Sequence, residues 1–321
     1  MTSPSVSHHP EPNSSFLTEI PYLQHCWDST SIGSFKTCPR LYYYQIICGY
    51  QSHFQSIHLT FGLLYHSSLE WYDHEKFKGK SHEEAVHSTV RKILVDTWDF
   101  KLSRPIEMDS NNKTRQGLIL TVIWYLDQFE NDSLQTIILA NGKPGIELSF
   151  RMETDFRAPT GQNYLLAGHM DKVAEMGGKY YVVDRKTTAT TLSQSYFDKY
   201  SPDNQFSLYS LAGKVIYSDK MAGIIVDAAQ IAVSFSRFQR QQIPRNDSIL
   251  EEWLADFGSW LKFAEYCAIN ETWPMNDKSC SMYGGCSFRQ ICTKPESIRE
   301  PFLRERYRRR MWNPLVTRGD V

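Results

Sequence analysis

Two aspartates and a lysine stand where two predicted strands meet across a tight turn. The segment runs Gly168-His-Met-Asp171, then Lys-Val-Ala-Glu-Met-Gly-Gly-Lys-Tyr-Tyr-Val-Val, then Asp184-Arg-Lys186-Thr-Thr. Gly177-Gly178 marks a two-residue hairpin, because both central positions of such a turn can require positive φ. With that hinge Met176 pairs with Lys179, and every opposed pair sums to 355. Asp171 then falls opposite Asp184, and His169 opposite Lys186. Opposed residues bring their Cβ atoms to about 4.5–5.5 Å, where two like charges destabilise a sheet. A divalent cation relieves that repulsion, since hard cations take carboxylate oxygens. Asp184 and Lys186 share one strand face, while Arg185 points to the other. Two acids for a metal with an ammonium beside them suit phosphodiester hydrolysis. The metal polarises the phosphate and acidifies its water, and the lysine orients that water or offsets developing charge. The competing reading is a solvated strand end, with the aspartates facing water through a slipped register or a bulge.

A second constellation lies near the end of the chain. Cys280, Cys286 and Cys292 have five residues between each pair, with Gly284-Gly285 giving the loop freedom to wrap a metal and Pro295 following. Seven cysteines is an odd number, and it favours reduced thiols or a metal site over a disulfide framework. Cys26, Cys48 and Cys267 lack such context and read as core residues. Residues 299–310 hold six arginines, with Arg299 and Arg310 at the ends, against Glu300 and Glu305. That run is either a solvated charged helix or a surface for phosphates.

The elements that must carry these residues fall into four stretches. Residues 1–30, rich in Ser, Pro and His, read as a flexible arm with one short element near 16–26. Residues 31–144 read as helical, with amphipathic stretches from Ser31, over 60–77, over 83–100 and over 113–130. In residues 145–245 the pattern turns to strands over 145–154, 164–176 and 179–187, a helix over 205–217 and a strand over 223–235. Residues 246–321 hold a helix over 248–268, the cysteines and the basic tail. This order predicts an α/β core inside a helical wrapper. The 321 residues carry 35 basic and 36 acidic side chains, a net charge of -1, which argues against a tail-driven nucleic-acid binder. The longest apolar run, over 118–126, falls far short of the roughly 20 residues a bilayer needs. Residues 1–11 lack the basic and apolar regions of a secretion signal, so the expectation is a soluble cytoplasmic protein.

Gly168-x-x-Asp171, a short gap, then Val182-Val183-Asp184-x-Lys186-Thr187 resembles motifs II and III of the PD-(D/E)XK nucleases. More narrowly it resembles their RecB-like branch, which includes AddB-type helicase–nucleases and CRISPR-adaptation nucleases with iron–sulfur clusters. Phe61-Gly62-x-x-x-His66-x-x-Leu69-Glu70 is similar to the branch's upstream Gly-x-x-x-His motif. Gln205-x-x-x-Tyr209 is similar to its Gln-x-x-x-Tyr motif. Together these marks span Cys38 to Cys292, about 80% of the chain.

The resemblance implies a restriction-endonuclease-like core, a central mixed sheet flanked by helices, with a helical N-terminal wrapper and a C-terminal cysteine cluster. It implies His66, Asp171 and Asp184 as ligands of Mg²⁺ or Mn²⁺, joined by the carbonyl of Arg185, and Lys186 as the catalytic lysine. Gln205 and Tyr209 would hold Lys186 or contact DNA phosphates. Cys38, in Thr-Cys-Pro-Arg, resembles the distant first cysteine of the cluster-bearing nucleases, so Cys38, Cys280, Cys286 and Cys292 would hold a 4Fe-4S cluster. The five-residue gap after Cys280 departs from the two usual there; zinc is the rival occupant, and free thiols the third possibility. The implied activity is a DNA exonuclease for end processing, recombination or defence, with a recombination or helicase partner. The alternative is a non-catalytic DNA-binding scaffold that keeps the fold. No phosphate-binding loop is present, so no ATPase is expected.

Overall fold

The computed structural model describes residues 22–53, 56–108, 112–282 and 285–316. Residues 1–21, most of the expected arm, lie outside the described residues. In chain order the elements are β1 (Cys26–Trp27), α1 (Ser29–Thr37), α2 (Pro39–Tyr42), β2 (Tyr50–Ser52), α3 (Ile57–Phe77), α4 (His82–Asp96), β3 (Trp98–Asp99), β4 (Arg104–Pro105) and α5 (Arg115–Gln128). There follow β5 (Gln135–Thr136), β6 (Ile146–Arg157), β7 (Asn163–Met176), β8 (Lys179–Thr188), α6 (Gln194–Asp198), α7 (Asn204–Tyr217), β9 (Met221–Ile231) and β10 (Ser236–Ile243). The chain closes with α8 (Asp247–Ile269), α9 (Arg289–Cys292), α10 (Glu296–Arg306) and β11 (Tyr307–Arg309). The contacts of the described residues sort into two compact units, one of residues 22–53, 150–168, 247–282 and 285–316, the other of 56–108, 112–149 and 169–246.

The second unit is built on a mixed sheet flanked by helices. Gly177 and Gly178 adopt φ of 60° and 77°, and this turn returns β7 antiparallel onto β8 with Met176 opposite Lys179. β8 and β9 run parallel, which demands a crossover; α6 and α7 supply it. β9 then turns antiparallel into β10. Because β9 is covered on both faces it reads as an almost unbroken apolar run, Met-Ala-Gly-Ile-Ile-Val-Asp-Ala-Ala-Gln-Ile. On one face α3, α4 and α5 enclose Phe61, Tyr65, Leu69, Ile93, Leu118 and Val122 with Ala229 and Ile231 of β9. The other face is met by α7, whose Phe206, Leu208 and Ala212 are buried.

Two expectations for this unit need correction. The strand expected over 223–235 ends at Ile231, and the chain folds back as β10, which the polar Ser-Arg-Phe-Gln-Arg-Gln-Gln sequence disguised. The helix expected over 83–100 stops at Asp96. There Thr97 turns its hydroxyl and its N–H onto the Ile93 carbonyl.

The first unit is held by aromatic packing. Asp28 caps α1 in a reciprocal box with Ser31, worth about 1 kcal/mol. Trp27 stacks on Tyr42 with ring centroids 5.2 Å apart, and Phe35 meets both edge-on. α8 adds Trp253, Phe257, Leu261 and Ala264. Gly258 lies so close to Phe156 that a Cβ there would sit 2.5 Å from its ring, so only glycine lets α8 approach β6. A smaller core of Tyr44, Tyr50, Phe288, Ile291 and Leu303 lies with the β2–β11 pair.

Candidate active site

The hairpin register holds from Met176↔Lys179 to Lys172↔Val183, and there the regular pairing ends. Asp171 and Asp184 are the next residues along, so the expected direct opposition of two like charges is avoided. Instead the Asp171 carboxylate accepts the Arg185 N–H at 2.9 Å, taking the place of a ladder carbonyl. His169, expected opposite Lys186, is bonded through Nδ1 to Ser149 Oγ at 2.9 Å.

Six of the anticipated residues come together here from four elements. On α3, His66 places Nδ1 3.1 Å from Asp171 Oδ2, the oxygen that Arg185 also uses. On β8, Lys186 donates to Gln205 Oε1 at 2.9 Å, and its ammonium lies 2.7 Å from Asp184 Oδ2. On α7, Gln205 Nε2 donates to Asp184 Oδ1 and to the Tyr209 hydroxyl, each at 3.1 Å. Asp203 caps α7 by accepting the Phe206 N–H, which sets Gln205 in the first turn, and the four-residue spacing stacks Tyr209 behind it. Of the two roles left open for Gln205, the geometry shows the contact with Lys186. Tyr209 is buried, and its hydroxyl accepts from Gln205.

The electrostatics split the two acids. Asp184 is 1% exposed, and burial pushes its pKa up to about 6 despite Lys186, with Asp171 adding to the rise. For Asp171 burial acts the same way but is outweighed by His66 and Lys186, which hold the carboxyl well below its usual range. Burial pulls His66 and Lys186 down, and the neighbouring carboxylates more than reverse it, so both are raised.

Two carboxylates and an imidazole are a donor set suited to a hard or borderline divalent cation. Asp184 Oδ2 is buried without a regular hydrogen bond; its neighbour is the Lys186 ammonium, and the oxygen keeps a lone pair of the kind such a cation takes. The donors are otherwise engaged with one another. Among the described residues no group of three or more His, Cys, Asp or Glu side chains is drawn into a metal-holding set.

Sequence reasoning missed the back of the site. On the opposite sheet face Asp73 of α3 receives Lys172 at 3.1 Å and pairs with the Arg185 guanidinium. The two cations overcome burial and hold the Asp73 carboxyl below its ordinary value. A charge row continues across the sheet, with Arg185 opposite Asp227 and Asp227 opposite Arg240. Asp227 accepts Arg240 Nε at 3.0 Å and the Tyr125 hydroxyl. The available signal was positional: each site aspartate is followed by a cation, and Asp73 stands two helical turns beyond His66.

The predicted cysteines share one neighbourhood in the other unit. Cys38 Sγ accepts the Asn276 N–H at 3.3 Å, and Cys280 Sγ faces the Asn276 carbonyl at 3.8 Å. The Cys286 N–H reaches the Cys280 carbonyl at 2.9 Å. Burial raises the Cys286 and Cys292 thiols, and in each case neighbouring thiols, Cys38 among them, add to the rise. All four are free thiols; Gly284 of the intervening loop lies outside the described residues. The arginine run is partly spent on local bonds. Arg299 donates to the Lys294 carbonyl, Arg304 to Glu300 and Arg309 to the Cys48 carbonyl.

With this geometry in view, comparison with known proteins gives a class. The profile of the PD-(D/E)XK nuclease superfamily matches residues 29–293, and the chain belongs to that superfamily. Its mixed sheet flanked by helices is the restriction-endonuclease-like fold. Twenty-two chains of solved structures match. Among them is a "Putative exonuclease" from Eubacterium rectale, 13% identical, with 86% of this chain and 92% of that one covered and a TM-score of 0.50. Another is SSO0001, 12% identical, covering 84% and 87%, with a TM-score of 0.34. Comparison with curated proteins finds no match. No helix among the described residues is long and apolar enough to cross a membrane.

Proposed function

We propose that this chain is a metal-dependent deoxyribonuclease of the RecB-like branch, acting as an exonuclease on DNA ends. The observation that carries the proposal is the convergence of His66, Asp171, Asp184 and Lys186 where regular β7–β8 pairing stops, with Gln205 bridging Lys186 and Asp184. His66, Asp171 and Asp184 would hold Mg²⁺ or Mn²⁺, with the Arg185 carbonyl beside them. When bound, such an ion supplies the Lewis acidity that polarises a phosphate oxygen and acidifies water.

The chain's own residues do the rest. Lys186 presents its half-buried ammonium to the scissile phosphate and offsets the charge that builds there. Gln205 keeps that ammonium aimed by accepting a hydrogen bond from it, and the Tyr209 hydroxyl accepts from Gln205 behind it. Asp171 takes a backbone N–H and an imidazole on a single oxygen, which fixes its orientation before substrate arrives. Support for the exonuclease reading comes from the fold shared with the Eubacterium rectale protein, which is described as a "Putative exonuclease". The pathway in view is DNA-end processing, recombination or defence, with a recombination or helicase partner, in the cytoplasm.

A 4Fe-4S cluster on Cys38, Cys280, Cys286 and Cys292 is part of the same proposal, supported by the shared neighbourhood of these thiols. The uncommitted arginines near the C-terminus would add phosphate contacts. The test uses protein purified without oxygen, on end-labelled linear DNA and covalently closed circles, with Mg²⁺, Mn²⁺ or chelator. Linear DNA should be degraded only with metal while circles survive; loss of circles refutes the exonuclease reading, and no cleavage refutes the nuclease. Iron and visible absorption should accompany the purified chain and vanish in Cys286→Ser. Zinc in place of iron would overturn the cluster.

A further inference from the structure

We propose that Asp73 is a positioning residue for the active site, a clamp behind the sheet that fixes where His66, Asp171 and Asp184 stand. The inference rests on these three residues being the metal ligands. Side chains alternate along a strand, so the residue after each site aspartate points to the opposite face: Lys172 after Asp171, Arg185 after Asp184. Both cations reach the same carboxylate. Lys172 Nζ donates to Asp73 Oδ1 at 3.1 Å, and Arg185 Nη2 pairs with Oδ2. Asp73 stands seven residues beyond His66 on α3, two turns along the same side of the helix. One buried carboxylate thus ties together the three elements that carry the proposed ligands.

The clamp sits where the sheet needs it. Regular β7–β8 pairing ends at Lys172↔Val183, and the next two residues are the aspartates whose mutual repulsion favours splaying. Beyond that point the Arg185 N–H crosses the gap to the Asp171 carboxylate. A tie on the far face holds the two carboxylates within reach of one cation without occupying their oxygens. The side chains of Asp73 and Lys172 are 10% exposed and that of Arg185 4%, so water competes little for the contacts. The rival account is a buried ion triad that serves the fold alone; such triads can be replaced by apolar residues with no loss of stability.

A half-open cavity of about 280 Å³ is lined by Asp73, Lys172 and Arg185 together with Lys76, Tyr125 and Phe129. It gives a small carboxylate access to the place the Asp73 side chain fills. The experiment follows Mn²⁺ affinity by the paramagnetic signal of free Mn²⁺, and kcat and KM on end-labelled linear DNA. Two variants are compared with the wild-type chain: Asp73→Ala, with and without excess formate, and the apolar triple Asp73→Leu, Lys172→Met, Arg185→Met.

Removing a residue that orients metal ligands from behind costs about 10–100-fold in metal affinity or rate. Asp73→Ala should show that loss in Mn²⁺ affinity and kcat, with KM little changed, and formate should recover most of it. The triple variant should keep its melting temperature, share the loss and ignore formate. A triple variant with wild-type Mn²⁺ affinity and kcat overturns the clamp, as does a folded Asp73→Ala that formate leaves unrestored. If Asp73→Ala fails to fold, the triple variant decides. A wild-type chain that binds no Mn²⁺ refutes the ligand assignment itself, which is a different failure.

Discussion

Gln205 is the point where the proposed chemistry depends most on one neutral side chain. Replacing it with methionine keeps an unbranched chain of similar length and removes three hydrogen bonds, to Lys186 at 2.9 Å and to Asp184 and Tyr209 at 3.1 Å. A hydrogen bond to a charged group is worth about 1.5–3 kcal/mol. The ammonium of Lys186 already lies 2.7 Å from Asp184. Removing Gln205 releases the hydrogen bond that draws the ammonium away from that carboxylate. If the energy of the lysine bond is what holds the ammonium toward substrate, its loss enters the barrier directly. At 1.36 kcal/mol per tenfold, kcat falls roughly 10- to 150-fold. KM should change little, because the bond orients a reacting group and does not grip DNA. The assay is steady-state cleavage of end-labelled linear DNA, with a thermal melt alongside to show that the fold survives. A fall in kcat under threefold refutes the positioning role, and a raised KM at unchanged kcat would move Gln205 to the DNA-contacting surface.

Two further predictions concern stability. Phe35 is 1% exposed and touches the rings of Trp27, Tyr42, Trp260, Phe263 and Trp273, so Phe35→Ala should cost about 3–5 kcal/mol in chemical denaturation; a loss below 1 kcal/mol would mean the cluster collapses to fill the void. Glu75 is bonded by Lys80, Lys78 and Ser88, which lower its pKa from 4.5 to about 2. A depressed carboxylate stabilises the fold above its unfolded value and stops doing so as pH falls through its folded value. Glu75→Gln should therefore be less stable than wild type at neutral pH and converge with it between about pH 4.5 and 2; a constant gap across that range would contradict the ion-pair account.

The parts of the fold that local chemistry dictates could be read before any coordinates. Gly177-Gly178 fixes the hairpin because L-residues resist the φ values found there, and the apolar runs of β8 and β9 admit only buried strands. The helices expected over 60–77 and 205–217 are present, but they start at Ile57 and Asn204, each behind a capping side chain, Ser56 and Asp203, that the periodicity did not mark. What stayed hidden depends on partners distant in the chain. Asp73 looks like any helical acid until Lys172 and Arg185 arrive from about a hundred residues away. β10 looks like a polar loop until β9 supplies the other half of its ladder. Arg308 and Arg309 looked like part of a free basic tail, yet with Tyr307 they line up against β2. The hairpin itself shows the limit most plainly. Register counting placed Asp171 against Asp184, but the repulsion that made the pair interesting is also what ends the regular pairing one residue earlier.

Lys186 is the residue on which the proposed chemistry depends most. Cleavage of end-labelled linear DNA with Mg²⁺ should be compared between the wild-type chain and Lys186→Ala, with Mn²⁺ binding and DNA affinity measured on both. A charged group that acts on the transition state alone is worth about 10²–10³-fold in rate. The variant should lose at least that much cleavage while still binding Mn²⁺ and DNA. Cleavage within tenfold of wild type, from a folded and metal-loaded variant, would contradict the assignment of this hairpin as the catalytic centre.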